Sequence, residues 1–200
     1  TTQVRGPAPV RALLRRMYLA GTTQLSLIVA GSILSAERLR SAYRVDPGRV
    51  RVLGDPRDDV LCEQAKHPSL AQAAREDVLR LVRLDAGGSA KLVLYAPTWR
   101  DGDPDPAVPI AQEIAQIHDT LERVGAHLFI RSHPLGGAAY HEALGERVHL
   151  LGADLVHDIT PLLGAFDSII TDYSSIAIDF SLLHRPIVWF APDLEQYSLR

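Results

Sequence analysis

Three short stretches set hydrogen-bonding side chains directly after apolar runs, which is where an α/β protein exposes groups that can do chemistry. In Leu94-Tyr-Ala-Pro-Thr-Trp-Arg-Asp101 the apolar run meets Pro97 and then offers the Thr98 hydroxyl and the Arg100 guanidinium, both able to hold a phosphate. Trp99 is equally suited to plug a core, and Arg100 to pair with Asp101. In Leu128-Phe-Ile-Arg-Ser-His-Pro134 the run delivers Arg131, Ser132 and His133 before Pro134 turns the chain away. His133 can donate to a phosphate oxygen or supply a proton to a leaving phosphate, because imidazole titrates near neutrality. A structural histidine is the competing reading. The third stretch, Ile169-Ile-Thr-Asp-Tyr-Ser-Ser-Ile-Ala-Ile-Asp-Phe180, ends a run at Thr171 and Asp172, turns at Tyr173 and opens a helix at Ser174 or Ser175. Two hydroxyls and free backbone N–H groups at a helix start can cradle a diphosphate, and Asp179, one turn in, can reach a ribose hydroxyl. Serine caps helices widely, and a first-turn acid is often only solvated, so this segment also has an ordinary structural reading.

Other chemistries fit poorly. His133, His141, His149 and His157 recur every eight residues, but that step drifts around a helix and the four fall in different expected elements, so no metal site is expected. No glycine-rich dinucleotide fingerprint and no Gly-x-x-x-x-Gly-Lys phosphate loop occurs, which argues against nicotinamide and ATP chemistry. Ser174 and Ser175 sit in no Gly-x-Ser-x-Gly elbow, so a serine hydrolase is disfavoured. No cofactor is expected.

The elements that must carry these groups alternate between short apolar strands and helical patterns, the signature of a doubly wound parallel sheet. The strands are expected at Leu25–Ala30, Val50–Leu53, Lys91–Ala96, His127–Arg131, Val148–Leu151, Ser168–Thr171 and Pro186–Phe190. Ile110, Ile114, Ile117, Leu121 and Val124 place one stripe on a helix closed by Gly125, and Leu70 to Val82 give a second helix. Helix starts are expected at Ser35 and at Thr160-Pro161. The organisation reads as residues 1–60 from one domain, linker helices over 61–87, and a nucleotide-binding domain over 88–200. In such sheets ligands sit beyond the carboxyl ends of the strands.

The chain has 200 residues, 46% of them hydrophobic, enough for a sizeable core. A net charge of −3 gives no general pull on nucleic acid, so any anion site must be local. The single cysteine, Cys62, permits no intrachain disulfide, which suits the cytoplasm. No apolar run approaches the ~20 residues of a membrane span. Val10 to Leu19 carries Arg11, Arg15 and Arg16 without an acid, which suits either an ordinary surface helix or one lying on the inner, anionic face of a membrane.

Tyr95-Ala-Pro-Thr-Trp-Arg-Asp101, Arg131-Ser-His-Pro134 and Ile170-Thr-Asp-Tyr-Ser-Ser-Ile176 resemble the motifs of the CDP-glycerol glycerophosphotransferases, enzymes that build teichoic-acid-type polymers. The likeness extends to Leu27–Arg38, to Leu53-Gly-Asp-Pro-Arg-Asp-Asp-Val60 and to Pro186–Tyr197, with Asp55 and Asp58 standing where tyrosine and asparagine are usual. The resemblance implies a GT-B arrangement of two Rossmann-like halves, the second binding CDP-glycerol. It implies that His133 contacts the donor diphosphate and steadies its departing charge, that Ser174 and Ser175 cradle it, and that Thr98, Arg100 and Asp179 line the same cleft. A hydroxyl of a polymer or lipid-linked acceptor would attack the phosphate bearing glycerol, and CMP would leave. The family's base lies in a His-Gly-Thr-Pro motif upstream, and none occurs in this sequence, whose first histidine is His67. A partial chain is therefore expected. Two other readings remain, a sugar-nucleotide glycosyltransferase or epimerase, and a non-catalytic nucleotide-binding scaffold.

Overall fold

The computed structural model describes residues 7–98, 108–132 and 137–195. They form two units, Thr1–Asp58 and Asp59–Arg200. The first contains helix α1 (Ala8–Thr23), strand β1 (Ile28–Ala30), helix α2 (Ile33–Tyr43) and strand β2 (Val50–Val52), and β1, α2 and β2 supply its small core of Ala30, Ala36 and Val50. β1 and β2 pair in parallel, with Ile28 opposite Val50. α2 begins two residues before the expected Ser35: the Ser32 hydroxyl accepts the Ser35 N–H at 3.1 Å and caps the helix.

The second unit runs α3 (Asp59–Lys66), α4 (Pro68–Leu81), β3 (Lys91–Ala96), α5 (Ala111–Arg123), β4 (Ala126–Ile130), β5 (Val148–Leu150), a 3-10 segment at Thr160–Ala165, β6 (Ser168–Thr171), α6 (Ile176–Ser181) and β7 (Ile187–Trp189). α3 and α4, read from the sequence as linkers, belong to this unit, because Leu61, Ala74 and Val78 are buried in its main core. The 3-10 segment differs from the expected cap: Asp158 Oδ1 accepts the Thr160 N–H at 2.9 Å, so the acid two residues upstream holds that turn.

Five parallel strands lie in the order β5-β4-β3-β6-β7. Period-two alternation in β3 sends Leu92, Leu94 and Ala96 into the core shared with α3, α4 and the 3-10 segment, and Tyr95 into a second cluster with Leu121, Ile130 and Tyr140. Apolar residues on both faces are what a sheet covered on both sides requires. α5 ends as the sequence indicates: Gly125, at φ +63°, takes the left-handed turn that lets the chain re-enter as β4. At its start, Glu113 reaches back to accept the Ile110 N–H at 2.9 Å.

Strand order decides where a ligand can sit. From β3 the chain builds outward through β4 and β5 on one side, then returns to add β6 and β7 on the other. The crossovers therefore reverse between β3 and β6. At such a switch point the loops leaving the two strands part in opposite directions and leave a crevice beyond their carboxyl ends.

Candidate functional site

The residues singled out in the sequence follow β4, β3 and β6, three neighbouring strands running in the same direction. Ser132, Thr98 and Ser174 therefore leave the sheet along one edge. The last paired residues of β3 and β6 are Ala96 and Thr171. Beyond them, Asp172 Oδ1 accepts hydrogen bonds from the Thr98 amide at 2.8 Å and the Thr98 hydroxyl at 2.6 Å. The same oxygen accepts the Tyr173 amide at 2.7 Å. Asp172 is buried at 4% exposure. On the other flank of β3, the Arg131 amide donates to the Tyr95 carbonyl at 2.8 Å, so the exit of β4 is tied to the same strand.

Ser174 is half-buried and Ser175 exposed at the head of α6. The Ser174 hydroxyl lies 3.5 Å from the Ile176 N–H, a weak cap that leaves it near the crevice. α6 has six residues, so its aligned peptide dipoles add little. Asp179 is buried within that helix at 7% exposure.

Two named residues serve the scaffold. Thr171 is fully buried, and its hydroxyl donates to the Ala96 carbonyl at 2.6 Å, so it struts β6 against β3. Arg131 turns its guanidinium towards main-chain carbonyls: one nitrogen donates to Leu151 at 3.2 Å and Val156 at 2.5 Å, the other to His157 at 3.4 Å. Burial lowers its pKa, while Asp154 and Asp158 nearby oppose that shift. Arg131 thus ties down the chain that follows β5. Ser132 is buried at 5% exposure beside it. Arg100 and His133, together with Trp99, lie outside the described residues.

The sequence reading missed a histidine pair, one member buried and the other half-buried. His127 Nδ1 and His149 Nε2 are 3.0 Å apart across β4 and β5, and His149 packs on Phe129. Burial and then the neighbouring His127 push His149 down to about 4; burial and then Arg147 and Arg75 lower His127. The period-eight pattern hid this pair, because His127 lies outside it.

Residues 12–200 match the family model described as CDP-Glycerol:Poly(glycerophosphate) glycerophosphotransferase. A teichoic acid poly(glycerol phosphate) polymerase of Staphylococcus epidermidis is 28% identical over 201 residues, covering 98% of this chain and 26% of that protein. The structure of the wall teichoic acid polymerase TagF superposes with a TM-score of 0.77 at 26% identity, over 98% of this chain and 47% of that one. TagF has also been solved after a soak with CDPG. UDP-GlcNAc 2-epimerase from Neisseria meningitidis, at 17% identity and a TM-score of 0.53 over 82% of this chain, shares the fold alone. The chain thus spans about a quarter of that polymerase and about half of the TagF chain. With a doubly wound parallel sheet of the kind found in GT-B enzymes and a family match across nearly its whole length, the chain belongs to the CDP-glycerol:poly(glycerophosphate) glycerophosphotransferase family.

Proposed function

We propose that this chain supplies the donor-binding part of a transferase that moves glycerol phosphate, or a related polyol phosphate, from its CDP ester to a hydroxyl of a growing teichoic-acid or capsule-type polymer. The observation that carries this reading is the crevice between β3 and β6, where the Thr98 and Ser174 segments leave the sheet side by side. The CDPG soak of the related TagF supports CDP-glycerol as the donor.

In the proposed reaction the acceptor hydroxyl attacks the phosphorus that bears glycerol. A new P–O bond forms, the bond to the bridging oxygen breaks, and CMP departs with that electron pair. The acceptor proton passes to a general base. Ser174 and Ser175 hold the diphosphate by hydroxyl and backbone donors, and the role that the family resemblance gives His133 is to steady the charge that grows on the leaving phosphate.

Calorimetric titration with CDP-glycerol, CMP and a UDP-sugar tests the reading. CDP-glycerol should bind best. A preference for the UDP-sugar would transfer the site to a sugar-nucleotide enzyme. His133→Ala and Ser175→Ala should each weaken CDP-glycerol binding by at least ~1 kcal/mol, the loss of one charge-assisted hydrogen bond.

The lipid-linked acceptor implies work at the cytoplasmic face of a membrane, and α1 suits that place. Thr22 is buried and Leu19 half-buried on one side of the helix, whereas Val10, Leu13 and Met17 form an exposed stripe on the other, with Leu13 and Met17 each 59% exposed. Arg16 borders that stripe and Arg11 lies further round the helix, while Arg15 projects from the opposite side, with Leu19 and Thr22. Among the described residues no helix is long and apolar enough to cross a membrane, so contact of this kind would be peripheral.

A further inference from the structure

We infer that Asp172 and Thr98 form a latch that sets the spacing of the two loops facing the donor, making Asp172 a positioning residue and not a ligand-contacting one. Three observations converge. Asp172 is 4% exposed, so its carboxylate has little surface to offer a ligand. Its Oδ1 takes three donors, at 2.6, 2.7 and 2.8 Å, two from Thr98 and one from the Tyr173 amide. Those donors lie just past Ala96 and Thr171, where the β3–β6 ladder stops.

The latch therefore extends the pairing of β3 and β6 through a side chain after the backbone ladder has ended. Two parallel strands at a switch point send their chains in opposite directions, and nothing in the ladder fixes how far apart the two loops begin. A carboxylate can do this because it carries only acceptors and full charge, so short bonds to an amide and a hydroxyl are strong in a buried setting. Thr171 reinforces the joint from below through its bond to the Ala96 carbonyl. The Phe190 amide, donating to the Thr171 carbonyl at 2.8 Å, anchors it from the β7 side. Asp172 lies two residues before Ser174, so loosening it lets the serine hydroxyls drift relative to the loop after β3. Drift of about 1 Å in a polar site is enough to degrade binding.

The ligand half of the test rests on the CDP-glycerol reading, and the other half does not. A cycle of Thr98→Val, Asp172→Ala and the double variant is titrated with CDP-glycerol. Amide exchange at positions 98 and 173 is followed in the same proteins without ligand. Because the two residues act as one unit, each single change should weaken binding by roughly tenfold or more, and the double should be no worse than Asp172→Ala alone. Exchange at the Tyr173 amide should speed up in Thr98→Val, although that change leaves the amide and Asp172 in place. Multiplying losses in the double variant, with Tyr173 exchange unchanged in Thr98→Val, would overturn the latch and make both residues independent ligand contacts. If no variant and not the parent binds CDP-glycerol, the donor assignment fails while the exchange data still decide the latch. Should Asp172→Ala not fold, Asp172→Asn takes its place in the cycle.

Discussion

Asp167 shows how one side chain can carry several loads at once. Its carboxylate accepts the Leu92 amide at 2.8 Å, Lys91 at 3.2 Å and Arg75 at 3.4 Å, joining α4, β3 and β6 at the amino end of the sheet. Burial alone would raise its pKa, but the Leu92 amide, Lys91 and Arg75 outweigh it and leave the group below the ordinary carboxylate value. A depressed folded pKa means stability that is present above the unfolded value and drains away as pH falls through the folded one. Asp167→Ala should therefore cost ~1–3 kcal/mol at neutral pH, with a smaller penalty in acid, by urea unfolding at the two pH values. The histidine pair acts in a different window. His149 is held near 4 against an unfolded value of 6.5, so its neutral form stabilises the fold above pH 6.5 and that contribution is lost between 6.5 and about 4. Unfolding free energy should drop across that range by up to about 3 kcal/mol, and His149→Phe should flatten most of the slope. Neither group was legible in the sequence. The partners of Asp167 come from α4 and β3, far away in the chain, and the histidines meet only where β4 and β5 lie side by side, a pairing that no local spacing encodes. The place of Thr98, Ser174 and Ser175 just past strand ends was legible for the opposite reason: a polar residue directly after an apolar run marks where the strand stops.

Elements were read best where period and punctuation agreed. β3 and β6 occupy the expected residues, because Lys91–Ala96 and Ser168–Thr171 are short apolar runs bounded by turn signals. β1 is shorter than its apolar run, since Leu25 and Leu27 stay exposed in the small first unit. The 3-10 segment at 160–165 was mistaken for a helix start because Thr-Pro mimics a cap, while the tertiary partner that shapes it lies about a hundred residues away. That partner is Gln64, whose amide nitrogen donates to the Pro161 carbonyl at 2.7 Å and whose amide oxygen accepts the Gly164 amide at 3.1 Å. Both halves of one amide are thus spent on a turn whose backbone has no helix ladder to satisfy it. A Cβ at Gly164 would come within 2.4 Å of Gln64 Oε1. Gln64→Leu should cost ~1–3 kcal/mol by stranding the buried Gly164 amide and taking a partner from the Pro161 carbonyl, and Gly164→Ala should destabilise for the same contact seen from the other side. Thermal unfolding of the two variants and their double would show whether they share one interaction, since coupled losses do not add.

For the molecule as a whole, charge makes the membrane proposal sharp enough to test. The net charge is −3, so long-range electrostatics oppose approach to an anionic bilayer. Attraction has to come from a local source, and α1 is one: residues 8–23 contain Arg11, Arg15 and Arg16 and no acid. Screening separates the two contributions, because the charge term fades over about 10 Å at moderate salt whereas burial of Leu13 and Met17 does not. Sedimentation with vesicles rich in phosphatidylglycerol should carry the protein down, and vesicles of phosphatidylcholine alone should carry much less. Replacing Arg11, Arg15 and Arg16 with glutamine should remove ~1 kcal/mol each, roughly a hundredfold together, and high salt should mimic that loss in the parent. Leu13→Gln with Met17→Gln should also weaken binding, but the residual affinity should keep its salt dependence. Equal binding to both vesicle types by the parent and the arginine variant would leave α1 as an ordinary surface helix, with its apolar stripe serving some other contact.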